Sequence, residues 1–142
     1  MSCSMTIDAV RDRSKTVTRR HVDTWANLKP GDRLTLIEKG MGLPKGAKQV
    51  ELTDVEITDV TIETLRQVSL IEVRREGLWD RAVAQSLVWS DLFDVLDLPV
   101  VWFRAFWAAG HLGGSIDDWA TGKRNPLLLG VPCRRIEWRY IV

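Results

Sequence analysis

Residues 50–62, VELTDVEITDVTI, place the tightest constraint on the fold. Apolar residues recur there at every second position as three pairs, Val50/Leu52, Val55/Ile57 and Val60/Ile62, and the phase slips between one pair and the next. A period of two demands an extended chain whose side chains alternate between faces. A slip inside such a run demands an extra residue, a β-bulge, and a bulge bends and twists the strand that carries it. The segment therefore predicts a long, strongly curved strand.

Two further segments supply partners for it. LKPGDRLTLIEK, 28–39, reads as a Pro30-Gly31 turn entering a strand in which Leu34 and Leu36 alternate with Arg33 and Thr35, with Trp25 and Leu28 anchoring the connection. The closing CRRIEWRYIV alternates Ile136, Trp138, Tyr140 and Val142 with charged or smaller residues, the pattern of a half-buried strand. KGMGLPKGAKQ, 39–49, reads as a loop.

Helical signals are shorter. Thr6 or Ser4 can cap a turn that carries Ile7, Ala9 and Val10 inward and fades near Arg13. Ser69 with Glu72 three residues on predicts a capping box, Leu70 and Val73 face inward, and Gly77 terminates the helix. Val100, Phe103 and Trp107 fall at helical spacing, a core stripe. Residues 78–99 yield only one or two more helical turns and 110–132 read as a long loop, so 78–132 is expected as an irregular insertion. Strands dominate in this reading. The expected fold is α+β, one domain over 1–142, with a curved or barrel-like mixed sheet and short helices at its edges.

Composition narrows the function. At 27% charged and 45% hydrophobic residues the chain has the balance of a globular protein, and no apolar run approaches the roughly 18 residues of a membrane span. The N-terminal stretch lacks a secretory pattern, which places the expected location in the cytoplasm and predicts no membrane partner. Cys3 and Cys133 stand far apart with no CxxC or Cys/His cluster, so neither a disulfide framework, a metal site nor a cofactor motif is expected. A net charge of only +1 excludes a polycation that coats nucleic acid, so any anion site is local. The charge that exists is concentrated: Arg11, Arg13, Lys15, Arg19 and Arg20 face the single acid Asp12 within ten positions.

The order of these segments resembles the ASCH domain family of the PUA-like superfamily. That family carries a short helix, a G-x-K-x-x-T-x-R segment, a kPGD turn into a strand and a later helix ending in E-G. SKTVTRR (14–20), LKPGDRLTLIEKG (28–40), EVRREGL (72–78) and RRIEWRY (134–140) match in type and order. One departure lies at Arg13-Ser14, where the family places glycine.

The resemblance implies a β-barrel of about five or six strands with a cleft between barrel and helices, lined by the K-x-x-T-x-R segment. Some members are small amidohydrolases that remove the acetyl group of N4-acetylcytidine with a lysine, a threonine and a glutamate. Carried over by position, those roles fall on Lys15 as base, Thr18 as nucleophile and Glu76 as acid. Arg13, Arg19 and Arg20 would lower the lysine pKa and stabilise an oxyanion, with Arg19 or Arg20 orienting the substrate. His21 is expected beside the site, and Trp25, Trp79 and Trp119 are candidates for stacking on a base. The expected partner is RNA or a modified nucleoside. The same residues leave room for a non-catalytic RNA-binding module, a ribonuclease, or a protein-interaction module of phage origin.

Overall fold

Both phase slips in the long curved segment are bulges. In this computed structural model, which describes residues 1–89, 98–121 and 129–141, the segment forms β3, Glu51–Thr64. Against β2 (Arg33–Ile37) its pairing jumps from Thr53 to Glu51, leaving Leu52 unmatched. Against β4 (Pro132–Tyr140) it jumps from Ile57 to Asp59, leaving Thr58 unmatched. The two bulges curl the sheet. Its strand order is β1-β4-β3-β2, with β1 at Val17–His21, and every pairing is antiparallel.

The result is a curled four-stranded half-barrel, where the sequence led us to expect a barrel of five or six strands. Beyond β2 the N-terminal residues add one parallel bridge, Ser2 to Ile37. Among the described residues helices also outnumber strands, which reverses the expected balance. They are α1 (Ile7–Arg11), α2 (Leu70–Arg75), α3 (Trp79–Trp89), α4 (Leu98–Leu112) and α5 (Ile116–Thr121), with a 3-10 turn at Leu65–Gln67. The expected irregular stretch 78–99 is eleven residues of α3 as far as Trp89. The expected loop from 110 begins inside α4 and contains α5. Residues 90–97, 122–128 and Val142, on which parts of those readings fall, lie outside the described residues.

Two packed clusters flank the sheet. One gathers Met1, Cys3, Val10, Leu36, Val55, Ile57, Ile136 and Trp138. The other gathers the helices α2 to α5 with Leu65 and Cys133. β4 feeds both, because its residues alternate between faces: Ile136 and Trp138 enter the first cluster, and Cys133, of opposite parity, enters the second. Among the described residues no helix is long and apolar enough to cross a membrane.

Local signals hold in part. Ser69 accepts from the Glu72 amide and Val73 is fully buried, but Leu70 points outward and the Glu72 side chain turns to arginines instead of closing the box. A complete capping box forms instead at Thr64 and Gln67. Thr6 occupies the N-cap of α1 without a side-chain cap bond.

Candidate active site

The segment that opens the site is pinned on both sides. The Lys15 amide donates to the Ala9 carbonyl at 3.0 Å, its own carbonyl accepts the Tyr140 hydroxyl, and the Thr16 amide donates to Arg75 O at 2.9 Å. The turn before it runs through Arg13 at φ 65, the left-handed conformation for which glycine is the usual residue, and Asp12 Oδ1 braces it by accepting from the Ser14 amide at 2.8 Å. The departure from the glycine pattern thus keeps the glycine geometry on an arginine.

Lys15, Thr18, Arg19 and Glu76 are all buried, and together with Arg20 they line one cleft of about 150 Å³. The cleft follows the free edge of β1 at the seam of the two clusters: Cys3 enters from one, and Leu78, Phe103 and Trp107 from the other. Phe103, Phe106 and Trp107 give the same cleft an aromatic wall. Trp107 also caps the strand edge, its indole N–H donating to the Arg19 carbonyl at 3.1 Å.

The Lys15 ammonium donates to the carbonyls of Val17 at 3.0 Å and Glu76 at 2.5 Å, and it stands 3.5 Å from the Glu76 carboxylate. Two of its three N–H positions are therefore fixed by backbone, and the third corner of the nitrogen is shared between the carboxylate and the cleft. Burial drives the lysine pKa below its ordinary value; Glu76 and Cys3 oppose that shift and Arg20 adds to it. The cationic ring proposed from sequence is thus only partly present. Arg13 is exposed and lies over the Tyr140 ring, 5.6 Å from its centre, outside the cleft lining.

Arg19 holds a different position from the one sequence suggested. Each of its three nitrogens donates to a glutamate: Nε to Glu63 at 2.6 Å, Nη2 to Glu72 at 2.7 Å and Nη1 to Glu76 at 3.2 Å. Burial works against its charge, yet the three glutamates raise its pKa. A guanidinium buried among three carboxylates has its charge fully matched, and it fixes Glu76 beside Lys15. Glu72 in turn accepts from Arg19, Arg75 and Arg135, and although burial alone would raise its pKa, the bonds from Arg135 and Arg19 bring it down to about 2.

Glycine at 77 makes the approach feasible. At φ 77 it ends α2, and a Cβ there would meet the Ala9 Cβ at 2.7 Å and the Lys15 Cβ at 3.2 Å. The Glu-Gly pair is thus a carboxylate beside the only residue type that lets α1 and Lys15 pack so closely against the helix end.

The remaining expected residues fall outside. Trp25, 38% exposed, and its neighbours to Asp32 border a separate shallow surface, and His21 is absent from the cleft lining, its Nδ1 accepting from the Asp23 amide at 3.2 Å. Trp79 lies under Arg74, 4.3 Å from its ring centre, facing a neighbouring groove, and the Trp119 indole donates to Gly113 O at 2.7 Å. Sequence reading missed His111, which lines the cleft because α4 continues through the expected loop start. Its signal was present: it falls one turn after Trp107, at i+4. Among the described residues no group of three His, Cys, Asp or Glu side chains is arranged to hold a metal ion.

Comparison with family models, curated proteins and solved structures finds no match to this chain.

Proposed function

We propose that this is a PUA-like domain of the ASCH type whose cleft binds a modified nucleoside and hydrolyses an acyl amide on it, as in N4-acetylcytidine. The observation that carries this reading is the convergence of Lys15, Thr18 and Glu76, all buried, in one small cleft walled by aromatic rings. Such rings offer faces on which a heterocycle stacks, and the cleft holds about five water volumes at roughly 30 Å³ each, room for a base and a short acyl group.

In this mechanism Lys15, made a weaker base by burial, takes the Thr18 hydroxyl proton as Oγ1 attacks the amide carbonyl. The proton passes to Glu76 across their 3.5 Å separation, and Glu76 delivers it to the departing nitrogen as the C–N bond breaks. Water then attacks the threonine ester with Lys15 as base, releasing the carboxylic acid and restoring the hydroxyl. Arg20, the cleft arginine not consumed by carboxylates, orients the substrate.

One observation favours a second reading. Lys15 is satisfied by two carbonyls and Glu76, a set that also suits a purely structural ion pair, and in that case the cleft binds its ligand without turnover. Incubation with N4-acetylcytidine and related acylated nucleosides between about pH 6 and about pH 9 separates the two. Turnover that Thr18→Val abolishes supports hydrolysis. Tight binding without turnover at any pH favours the binding module, shortening of added RNA favours a ribonuclease, and neither binding nor turnover removes the nucleoside reading.

A further inference from the structure

We propose that Arg20 and His111 form an anion subsite at the mouth of the cleft, so that the ligand is a phosphorylated nucleoside and the phosphate is held by these two side chains. The proposal rests on the nucleoside reading of the cleft and names the class of nucleoside.

Charge balance points to Arg20. Lys15 is matched by Glu76, and Arg19 by Glu63, Glu72 and Glu76. Among the described residues no carboxylate lies within ion-pair distance of Arg20. Its Nη2 donates to the Ser2 carbonyl at 2.6 Å, and among the described residues its buried Nε–H has no hydrogen-bond partner. Buried donors in folded proteins almost always have an acceptor, and a guanidinium presents its donors in a fork that suits a phosphate.

His111 supplies the second contact. Its ring stacks on Trp107 at 4.4 Å and 16°, extending the aromatic wall outward, and its Nδ1 bonds the Trp107 carbonyl at 2.9 Å. A carbonyl only accepts, so Nδ1 carries the hydrogen and Nε2 is the nitrogen left for a ligand. Nε2 can accept from a P–OH group or, once protonated, donate to a phosphate oxygen. Burial lowers the His111 pKa; the Trp107 carbonyl opposes that shift, nearby Arg20 and His21 add to it, and Glu76 opposes it. The chamber of about 150 Å³ takes a base, and a sugar phosphate must therefore leave through the mouth where Arg20 and the exposed His111 stand.

The test is calorimetric titration of Thr18→Val protein, which holds substrate without turning it over, with N4-acetylcytidine, its 5′-monophosphate, a short single-stranded RNA carrying the same base internally, and inorganic phosphate. The expected result is at least about tenfold tighter binding of the monophosphate than of the nucleoside, with the ratio of the two affinities falling close to one in Arg20→Gln and in His111→Gln, whatever either change does to nucleoside affinity itself. His111→Gln keeps the test sound if Arg20→Gln unseats the Ser2 segment. A gain seen with RNA but not with the monophosphate supports the subsite and assigns it a chain phosphodiester. Equal affinity for nucleoside and monophosphate with no gain from RNA, or a preference that survives both variants, overturns the subsite and leaves the nucleoside reading standing. Inorganic phosphate that shifts the NMR signals of Arg20 and His111 while no nucleoside binds supports the subsite and removes the nucleoside reading; no response to any of the four ligands overturns both.

Discussion

Lys15 Nζ and the Glu76 carboxylate stand 3.5 Å apart with both side chains buried, while the backbone carbonyl of that same glutamate also accepts from the ammonium. Position 76 thus grips the lysine twice, and only its carboxylate is free to exchange a proton. A group that acts as base works deprotonated, and burial lowers the Lys15 pKa from 10.5. For the proposed hydrolysis, the rate should therefore rise with pH along a limb that lies below 10.5. Lys15→Arg, whose guanidinium stays charged, should erase that limb and lower kcat by about 10²- to 10⁴-fold. A pH profile of kcat/KM for both proteins checks it.

Arg19→Met should be among the most damaging single changes. It leaves Glu63, Glu72 and Glu76 facing one another around a side chain that was 1% exposed. Breaking a buried ion pair from one side costs about 3–5 kcal/mol. Arg139→Met removes a partner of Glu56 from a side chain 69% exposed and should cost under about 1 kcal/mol. Urea midpoints of the two variants give the comparison.

Acid should unfold the protein through Glu72. Its pKa is about 2 in the folded chain against an ordinary 4.5, so its stabilisation is complete above about 4.5 and is lost as pH falls toward about 2. In Glu72→Gln, thermal midpoints measured from pH 7 downward should start lower and fall less steeply below about 4.5. An unchanged acid slope would contradict this account.

Two glycines separate backbone strain from crowding. Gly31 sits at φ 92 with nothing within 4 Å of the place a methyl group would occupy, whereas Gly77, at φ 77, faces Ala9 and Lys15. Gly31→Ala should cost about 1–2 kcal/mol from the left-handed backbone alone. Gly77→Ala should cost more and, by moving Lys15, should also lower ligand affinity; denaturation and titration of the two variants measure both effects.

The parts of this fold legible in sequence were those fixed by local periodicity. Both phase slips of residues 50–62 became bulges because a period of two leaves a side chain no freedom to change face otherwise. Lys15, Thr18 and Glu76 came together as expected from their motif positions, but nothing local revealed that Arg19 would turn to three glutamates. Those lie 44 to 57 residues away along the chain, and the pairing depends on how α2 docks against the sheet. The stripe Val100, Phe103 and Trp107 marked a helix, but not its length: α4 is apolar nearly all round, with Trp102 and Ala105 buried as well, so no polar face showed that it runs on through His111. His111 was lost with it. Trp25, a candidate for stacking on a base, follows β1 and is carried past the cleft by the strand itself.

The alternation of β4 between the two clusters has a thermodynamic consequence. Neither cluster can melt without detaching the strand that the other also needs, so heating should give one sharp transition in which near-ultraviolet and far-ultraviolet dichroism fall together. The cleft, lying on the join, would then disappear at that same temperature and not before.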